Sequence, residues 1–210
     1  MVTTKRIIDI AVSSAVLVIS APLFLLIAMA IKLDDPGPVF FRQKRVGRNR
    51  SNFEIFKFRT MVIDAEKKGA GVFVEEDDPR ITRVGKILRS TSLDELPQLL
   101  NIFRGEMSLV GPRPTLAYQV EKYDQEQLRR LMVKPGVTGW AQVNGRNMLT
   151  WPERIELDLW YIDNWTLWLD LKILFKTFLV VFSRQDLYRK KMEDPISGQA
   201  GNKGTDDKND

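Results

Sequence analysis

Cysteine and histidine are both absent from this 210-residue chain. Without cysteine there is no disulfide, no thiolate nucleophile and no cysteine metal site. Without histidine the commonest general base and a frequent metal ligand are missing too. Any catalysis falls to Asp, Glu, Ser, Thr, Lys, Arg or Tyr, with room for a hard cation such as Mg²⁺ held by carboxylates. The Gly-rich phosphate loops are also missing: neither G-x-x-x-x-G-K-[ST] nor G-x-G-x-x-G occurs, so nothing supports nucleotide binding by those routes. There is no internal repeat.

What is present bounds the class. The length allows one ordinary domain and an accessory element. Charged residues make up 28% of the chain, which argues against a polytopic membrane protein, and 44% hydrophobic content is ordinary for a folded one. A net charge of +5 suggests an anionic partner: nucleic acid, a membrane surface or phosphorylated substrates.

From Ile10 to Ile31 no residue is charged. A straight helix of that length rises about 33 Å, enough to cross the hydrocarbon core. The run exceeds the h-region of a cleavable signal peptide, although Ala28-Met29-Ala30 resembles a cleavage site, so it reads as a retained anchor. Pro22 predicts a kink or break, and Ser20 offers a hydroxyl to the carbonyls so freed. Lys5 and Arg6 precede the run; Lys32, Arg42, Lys44 and Arg45 follow it. Positive flanks at both ends favour the cytoplasm for both. Two topologies stand: a Pro-broken helix that enters and leaves one leaflet, and a kinked single span.

After the turn-rich Asp34-Asp35-Pro36-Gly37-Pro38, residues 39–45 and 53–59 read as two strands around a turn containing Gly47. Residues 32–60 hold eight Lys or Arg against three acids, placed to meet headgroups or a phosphorylated substrate. Residues 64–80 read as a polar loop, in which Glu75-Glu76-Asp77-Asp78 is a solvated acidic run. Helical periodicity appears around 85–88, 96–103, 116–132 and 151–161. The apolar stretch 167–182 carries Asp170, Lys172 and Lys176 beside Trp165 and Trp168, which favours a helix lying at the interface or packed on the anchor. The expected architecture is α+β, mainly helical: an anchor over 1–33, a catalytic domain over 34–183 with a small β-hairpin and interfacial amphipathic helices, and a largely disordered tail over 184–210.

Three segments could carry chemistry. In Ser92-Leu93-Asp94-Glu95-Leu96-Pro97-Gln98, Ser92 and Glu95 fit an S-x-x-E capping box, and acids suit a helix start. The other reading makes Asp94 and Glu95 a nucleophile and metal ligand beside Arg89, because a carboxylate is ionised without a neighbouring base. Gly111-Pro112-Arg113-Pro114 is either a simple turn or a rigid loop pre-orienting Arg113 toward phosphate. The Gly-rich stretch 134–146 permits close backbone approach to a ligand, with Gln142, Asn144 and Arg146 as polar readers. Lys57 and Arg59 interleave with Phe56 and Phe58, which suggests side chains held in place rather than solvated.

Taken in order, these pieces resemble one family, the monotopic bacterial phosphoglycosyl transferases, also called undecaprenyl-phosphate sugar phosphotransferases, in a minimal catalytic form. The resemblance covers roughly residues 5–183: the Pro-broken anchor, Phe56-Lys57-Phe58-Arg59-Thr60-Met61, Asp78-Pro79-Arg80-Ile81-Thr82, and residues 89–98, 105–114 and 135–146. One departure is at the break, where Ala21 precedes Pro22 in place of the family's frequent Ser-Pro. The resemblance implies that Asp94 attacks the β-phosphate of a UDP-sugar, releases UMP and holds the phosphosugar covalently. Undecaprenyl phosphate then accepts the group. Glu95, with Asp94, would hold Mg²⁺ or assist the acceptor, while Lys57, Arg59, Arg89 and Arg113 neutralise phosphate charge. It also implies a re-entrant anchor with both ends on the cytoplasmic face of the bacterial inner membrane. Sugar selectivity falls to the loops at 62–78 and 144–152, and a homo-oligomer stays open. The rival readings are a catalytically silent membrane scaffold for polysaccharide assembly and a tethered nucleic-acid binder. The second lacks a long aromatic and basic stretch, so no nucleic acid is expected.

Overall fold

One long helix organises the molecule. In a computed structural model that describes residues 2–65, 78–145 and 148–183, helix α1 spans Val2–Asp34 with Pro22 inside it. Ser20 Oγ donates to the Val16 carbonyl at 2.6 Å, a local bond of the kind that bends helices. Among the described residues this is the one helix long and apolar enough to cross a membrane.

Both ends of α1 are bonded to the same body. Near its start, Arg6 donates to the carbonyls of Ile102 and Phe103, the last turn of α3 (Gln98–Arg104). A cation there complements the helix dipole and satisfies orphan carbonyls. Lys5 pairs with Asp170, and the buried Asp9 accepts from Ser108 Oγ at 3.1 Å and Leu109 N at 3.0 Å. At the far end, Asp34 Oδ2 accepts from Val84 N at 2.8 Å, in the first turn of α2 (Arg83–Ser90). The anchor thus caps one helix at each of its ends.

The expected hairpin is present: β1 (Phe40–Val46) pairs antiparallel with β2 (Asn52–Phe58), with Asn49 and Arg50 left-handed in the connecting turn. Phe53 and Ile55 are buried on one face of β2, and Phe56 and Phe58 on the other. Asn101 of α3 binds the hairpin by donating to Glu54 O at 2.6 Å and accepting from Phe56 N at 3.0 Å. Ile102 and Met107, with no exposed surface, centre the core beneath it. Burying each is worth about 1.5–3 kcal/mol.

A second, unforeseen sheet takes one of its two strands from the Gly-rich stretch. Strand β3 (Ser108–Val110) pairs in parallel with β4 (Gly136–Thr138). A Cβ on Gly136 would stand 2.1 Å from Gly111 N, so only glycine allows the two backbones to meet.

The helices follow the predicted periodicity with one correction. Residues 116–132 form two pieces, α4 (Ala117–Val120) and a 3₁₀ segment Gln127–Met132. Asp124 and Gln127 cap one another reciprocally, Gln127 N to Asp124 Oδ1 at 2.8 Å and Asp124 N to Gln127 Oε1 at 3.2 Å, and so start a new turn. A short α5 (Trp140–Val143) precedes α6 (Trp151–Asp163), whose Thr150 and Glu153 form a capping box. Helix α7 (Leu167–Ser183) buries Leu169, Asp170 and Ile173 and exposes Trp168, Leu171, Phe175 and Phe178. The architecture is mainly helical with two small sheets.

Candidate active site

Asp94 and Glu95 lie in a single 3₁₀ turn, Leu93–Glu95, that follows α2. The capping box does not form. Ser92 is left-handed, with φ 57°, and makes no side-chain cap bond, so the backbone leaves helical geometry just where the box would need it. Glu95 turns instead to two cations. Lys57 Nζ is 2.6 Å from its Oε1, and Arg113 Nη2 is 3.0 Å from the same atom. Lys57 reaches it because β2 points residue 57 away from the face that carries Phe56 and Phe58 into the core.

The two adjacent acids have opposite environments. Asp94 makes no hydrogen bond among the described residues; Lys57 Nζ lies 4.0 Å from its Oδ2. Burial pushes the Asp94 carboxyl up, Lys57 opposes this, and the neighbouring Glu95 charge adds to it. Burial acts on Glu95 in the same sense, but Lys57 and Arg113 outweigh it and hold that carboxyl far below the usual range. Arg113 is correspondingly raised by Glu95. Both acids keep an exposed edge, 14% and 19% of the side chain, toward a cleft.

That cleft holds about 870 Å³ and is bordered by Lys57, Arg59, Arg89, Asp94, Glu95, Arg113 and Gln142. The structure thus gathers every named candidate but Asn144, which does not border the cleft, and Arg146, which lies outside the described residues. Their engagements differ. Arg59 is buried and committed to Asp35, donating to its carbonyl and standing 3.1 Å from its Oδ2. Arg89 is half-buried and forms no ion pair among the described residues. Both amide atoms of Gln142 are buried without a hydrogen-bond partner in the described structure, close to Gly139. Asn144 serves local structure, donating to Trp140 O and accepting from Lys176. Asp78, the described end of the acidic run, pairs with Arg80, while Glu75, Glu76 and Asp77 lie outside the described residues.

A profile of the family described as bacterial sugar transferase matches residues 1–184. The chain belongs to that family. Among its relatives, the uncharacterised sugar transferase EpsL of Bacillus subtilis is 44% identical, over 82% of this chain and 84% of that one. The undecaprenyl-phosphate galactose phosphotransferase of Salmonella typhimurium is 42% identical, over 88% of this chain. The UDP-glucose:undecaprenyl-phosphate glucose-1-phosphate transferase of Klebsiella pneumoniae is 45% identical, again over 88%. This chain spans 41% of each of those two longer proteins. The resemblance carried by the ordered motifs is therefore family membership, and the chain is a transferase.

Some members of this sugar transferase site escaped the sequence. Gln43 and Arg45 of β1 and Arg154 of α6 also border the cleft. Strand alternation could have found Arg45, which shares a face with Phe41, the register partner of Lys57. Nothing local marks Arg154. The donor set suits Mg²⁺: two adjacent carboxylates, with the remaining ligands left to phosphate oxygens and water. No group of three or more acids that could hold a metal ion occurs among the described residues.

Proposed function

We propose that this transferase moves a sugar-1-phosphate from a UDP-sugar to undecaprenyl phosphate, at the cytoplasmic face of a bacterial membrane, as an early step of polysaccharide or glycoconjugate synthesis. One observation carries it: of two adjacent acids in a cation-lined cleft, Glu95 is clamped by Lys57 and Arg113 while Asp94 makes no hydrogen bond among the described residues. The printed names of the Salmonella and Klebsiella relatives supply the substrate classes.

In the first step an Asp94 carboxylate oxygen bonds to the β-phosphorus, and the bond from that phosphorus to the bridging oxygen breaks. UMP leaves with that oxygen, and the phosphosugar stays on Asp94. In the second, a phosphate oxygen of undecaprenyl phosphate bonds to the same phosphorus and the Asp94 carboxylate departs. Lys57, Arg89 and Arg113 border the same cleft as Asp94 and supply the cations that would neutralise phosphate charge, the main source of stabilisation in phosphoryl transfer. Mg²⁺ held by Asp94 and Glu95 would add charge neutralisation and a template for the diphosphate. Glu95, held by two cations, orients them and keeps them from pairing with the nucleophile.

The membrane placement rests on exposed apolar surface: Val18, Ile19, Leu25 and Leu33 of α1, and Trp168, Phe175 and Phe178 of α7. Bonds from both ends of α1 to one body favour a re-entrant anchor, because a spanning helix would carry one end about 30 Å away.

The test is UMP release from a panel of UDP-sugars with Mg²⁺ and undecaprenyl phosphate, for wild type and Asp94→Asn. UMP from one donor, lost in the variant, with a phosphosugar adduct on the Asp94 peptide by mass spectrometry, is the expected result. An Asp94→Asn protein that releases UMP as fast as wild type sinks the assignment of Asp94 as nucleophile, and wild type that releases none from any donor favours the scaffold.

A further inference from the structure

The loop that carries Arg113 is tethered at four successive carbonyls. Gly136 N donates to Pro112 O at 2.9 Å, Arg130 Nη2 to Arg113 O at 2.9 Å, Arg45 Nη1 to Pro114 O at 3.3 Å, and Val46 N to Thr115 O at 2.9 Å. Pro112 and Pro114 further restrict the backbone on each side of residue 113. Three of the tethers come from the two sheets or their edges. The fourth, at Arg113 itself, comes from a side chain outside both sheets, in the segment Gln127–Met132.

That side chain is buried, with 3% of Arg130 exposed. Its guanidinium spends its other donors on Asp158 Oδ2 (Nε, 2.7 Å) and Tyr123 Oη (Nη1, 2.7 Å), and it stacks 5.6 Å from the Trp151 ring. A fully buried ion pair is expensive to desolvate, and an apolar pair would fill the space as well. Asp158 Oδ1, buried and without a partner in the described structure, adds to that cost. The arrangement does what an apolar pair cannot: it presents a planar donor, locked in direction, to one backbone oxygen.

We propose that Arg130, oriented by Asp158 and Tyr123, is a positioning residue that fixes the backbone of Arg113, and through it the guanidinium that meets Glu95 and the substrate phosphates. The inference rests on the proposed phosphosugar transfer. It also ties α6, which starts beside the loop at 144–152, to the phosphate-binding side of the cleft.

A double-mutant cycle on UMP release tests it, using the full chain in detergent or nanodiscs. Arg130→Lys keeps the charge beside Asp158 but cannot serve three acceptors in one plane. It is expected to lower kcat/KM about 10- to 100-fold, as small misplacements of charge-stabilising groups do. In an Arg113→Ala background the same change should cost less than about 2-fold, because coupled residues are not additive. A second pair, Arg130→Met with Asp158→Leu, removes both buried charges, keeps the fold and should lose activity all the same. Losses that multiply in the cycle, or a doubly apolar variant with full activity, overturn the inference and leave the reaction standing. Wild type that releases no UMP from any UDP-sugar overturns the reaction, and the inference with it.

Discussion

Lys57 Nζ lies 2.6 Å from Glu95 Oε1, closer than it comes to the neighbouring Asp94. The same ammonium therefore cancels the charge of one acid while lending only a through-space attraction to the other. Two consecutive carboxylates are in this way kept in different electrostatic states, and different variants should report on each.

Asp94→Asn should reduce UMP release at least about 1,000-fold, because it removes the proposed nucleophile outright. Glu95→Gln keeps a side chain of the same size but frees Lys57 and Arg113 from their shared partner. It should slow turnover about 10- to 100-fold and still accumulate some phosphosugar adduct. Intact-protein mass spectrometry after mixing with donor alone distinguishes the two. An adduct on Asp94→Asn, or none on either variant and on wild type, sinks the division of roles.

The pH dependence should follow Asp94. Burial raises its carboxyl above the ordinary 3.8, so the reactive carboxylate is lost as pH falls through a value higher than that. Lys57 opposes the rise, so Lys57→Met should move the acid limb of kcat/KM upward. Stability runs differently. Glu95 is depressed below its ordinary 4.5, so what it contributes to folding is present above 4.5 and disappears only as pH falls through the lowered value. Activity should therefore fail at a higher pH than the Glu95 cluster does. A limb that Lys57→Met leaves in place would mean another group controls it.

The sequence made some of this legible, and the reasons differ by element. The hairpin was readable because Phe53 and Ile55 flank Glu54, and Phe56 and Phe58 flank Lys57, after a Gly-containing turn. The β3–β4 pair was not, because strands of three residues have no period to detect and their partners lie far apart in the chain. Asp94 and Glu95 were visible as a pair, but their local pattern also spells a cap; what rejects the cap is the left-handed Ser92, which no local preference announces. Arg130 sits beside a half-buried Arg129, and its counter-ion is on another helix, so only the folded chain shows it as buried.

Asn101 should prove a stability residue rather than a binding one. It has no exposed surface and satisfies the Phe56 amide and the Glu54 carbonyl of β2. Asn101→Ala leaves both groups without their partner, at about 1–3 kcal/mol. The expected signature is a lower Tm in detergent with donor KM nearly unchanged at low temperature. A changed KM at unchanged Tm would place Asn101 in the site.

The absence of cysteine gives a clean background for testing the anchor. Single cysteines at Thr3, in the first turn of α1, and at Asn49, beyond its far end, probe its two sides, each in an otherwise thiol-free chain. If α1 enters and leaves one leaflet, a membrane-impermeant maleimide should label neither position in intact cells from which only the outer membrane has been stripped, and both in inverted vesicles. The bonds from Arg6 to α3 and from Asp34 to α2 motivate this expectation, since both ends of α1 are bonded to helices of the catalytic domain. Breaking the tie should loosen it: Asp9→Ala removes the acceptor for Ser108 and Leu109 from the buried face of α1. That variant should keep its membrane association but lose thermal stability by about 1–3 kcal/mol. Labelling of Thr3→Cys from outside in otherwise intact cells would show a spanning helix and undo the shared-body reading of both ends.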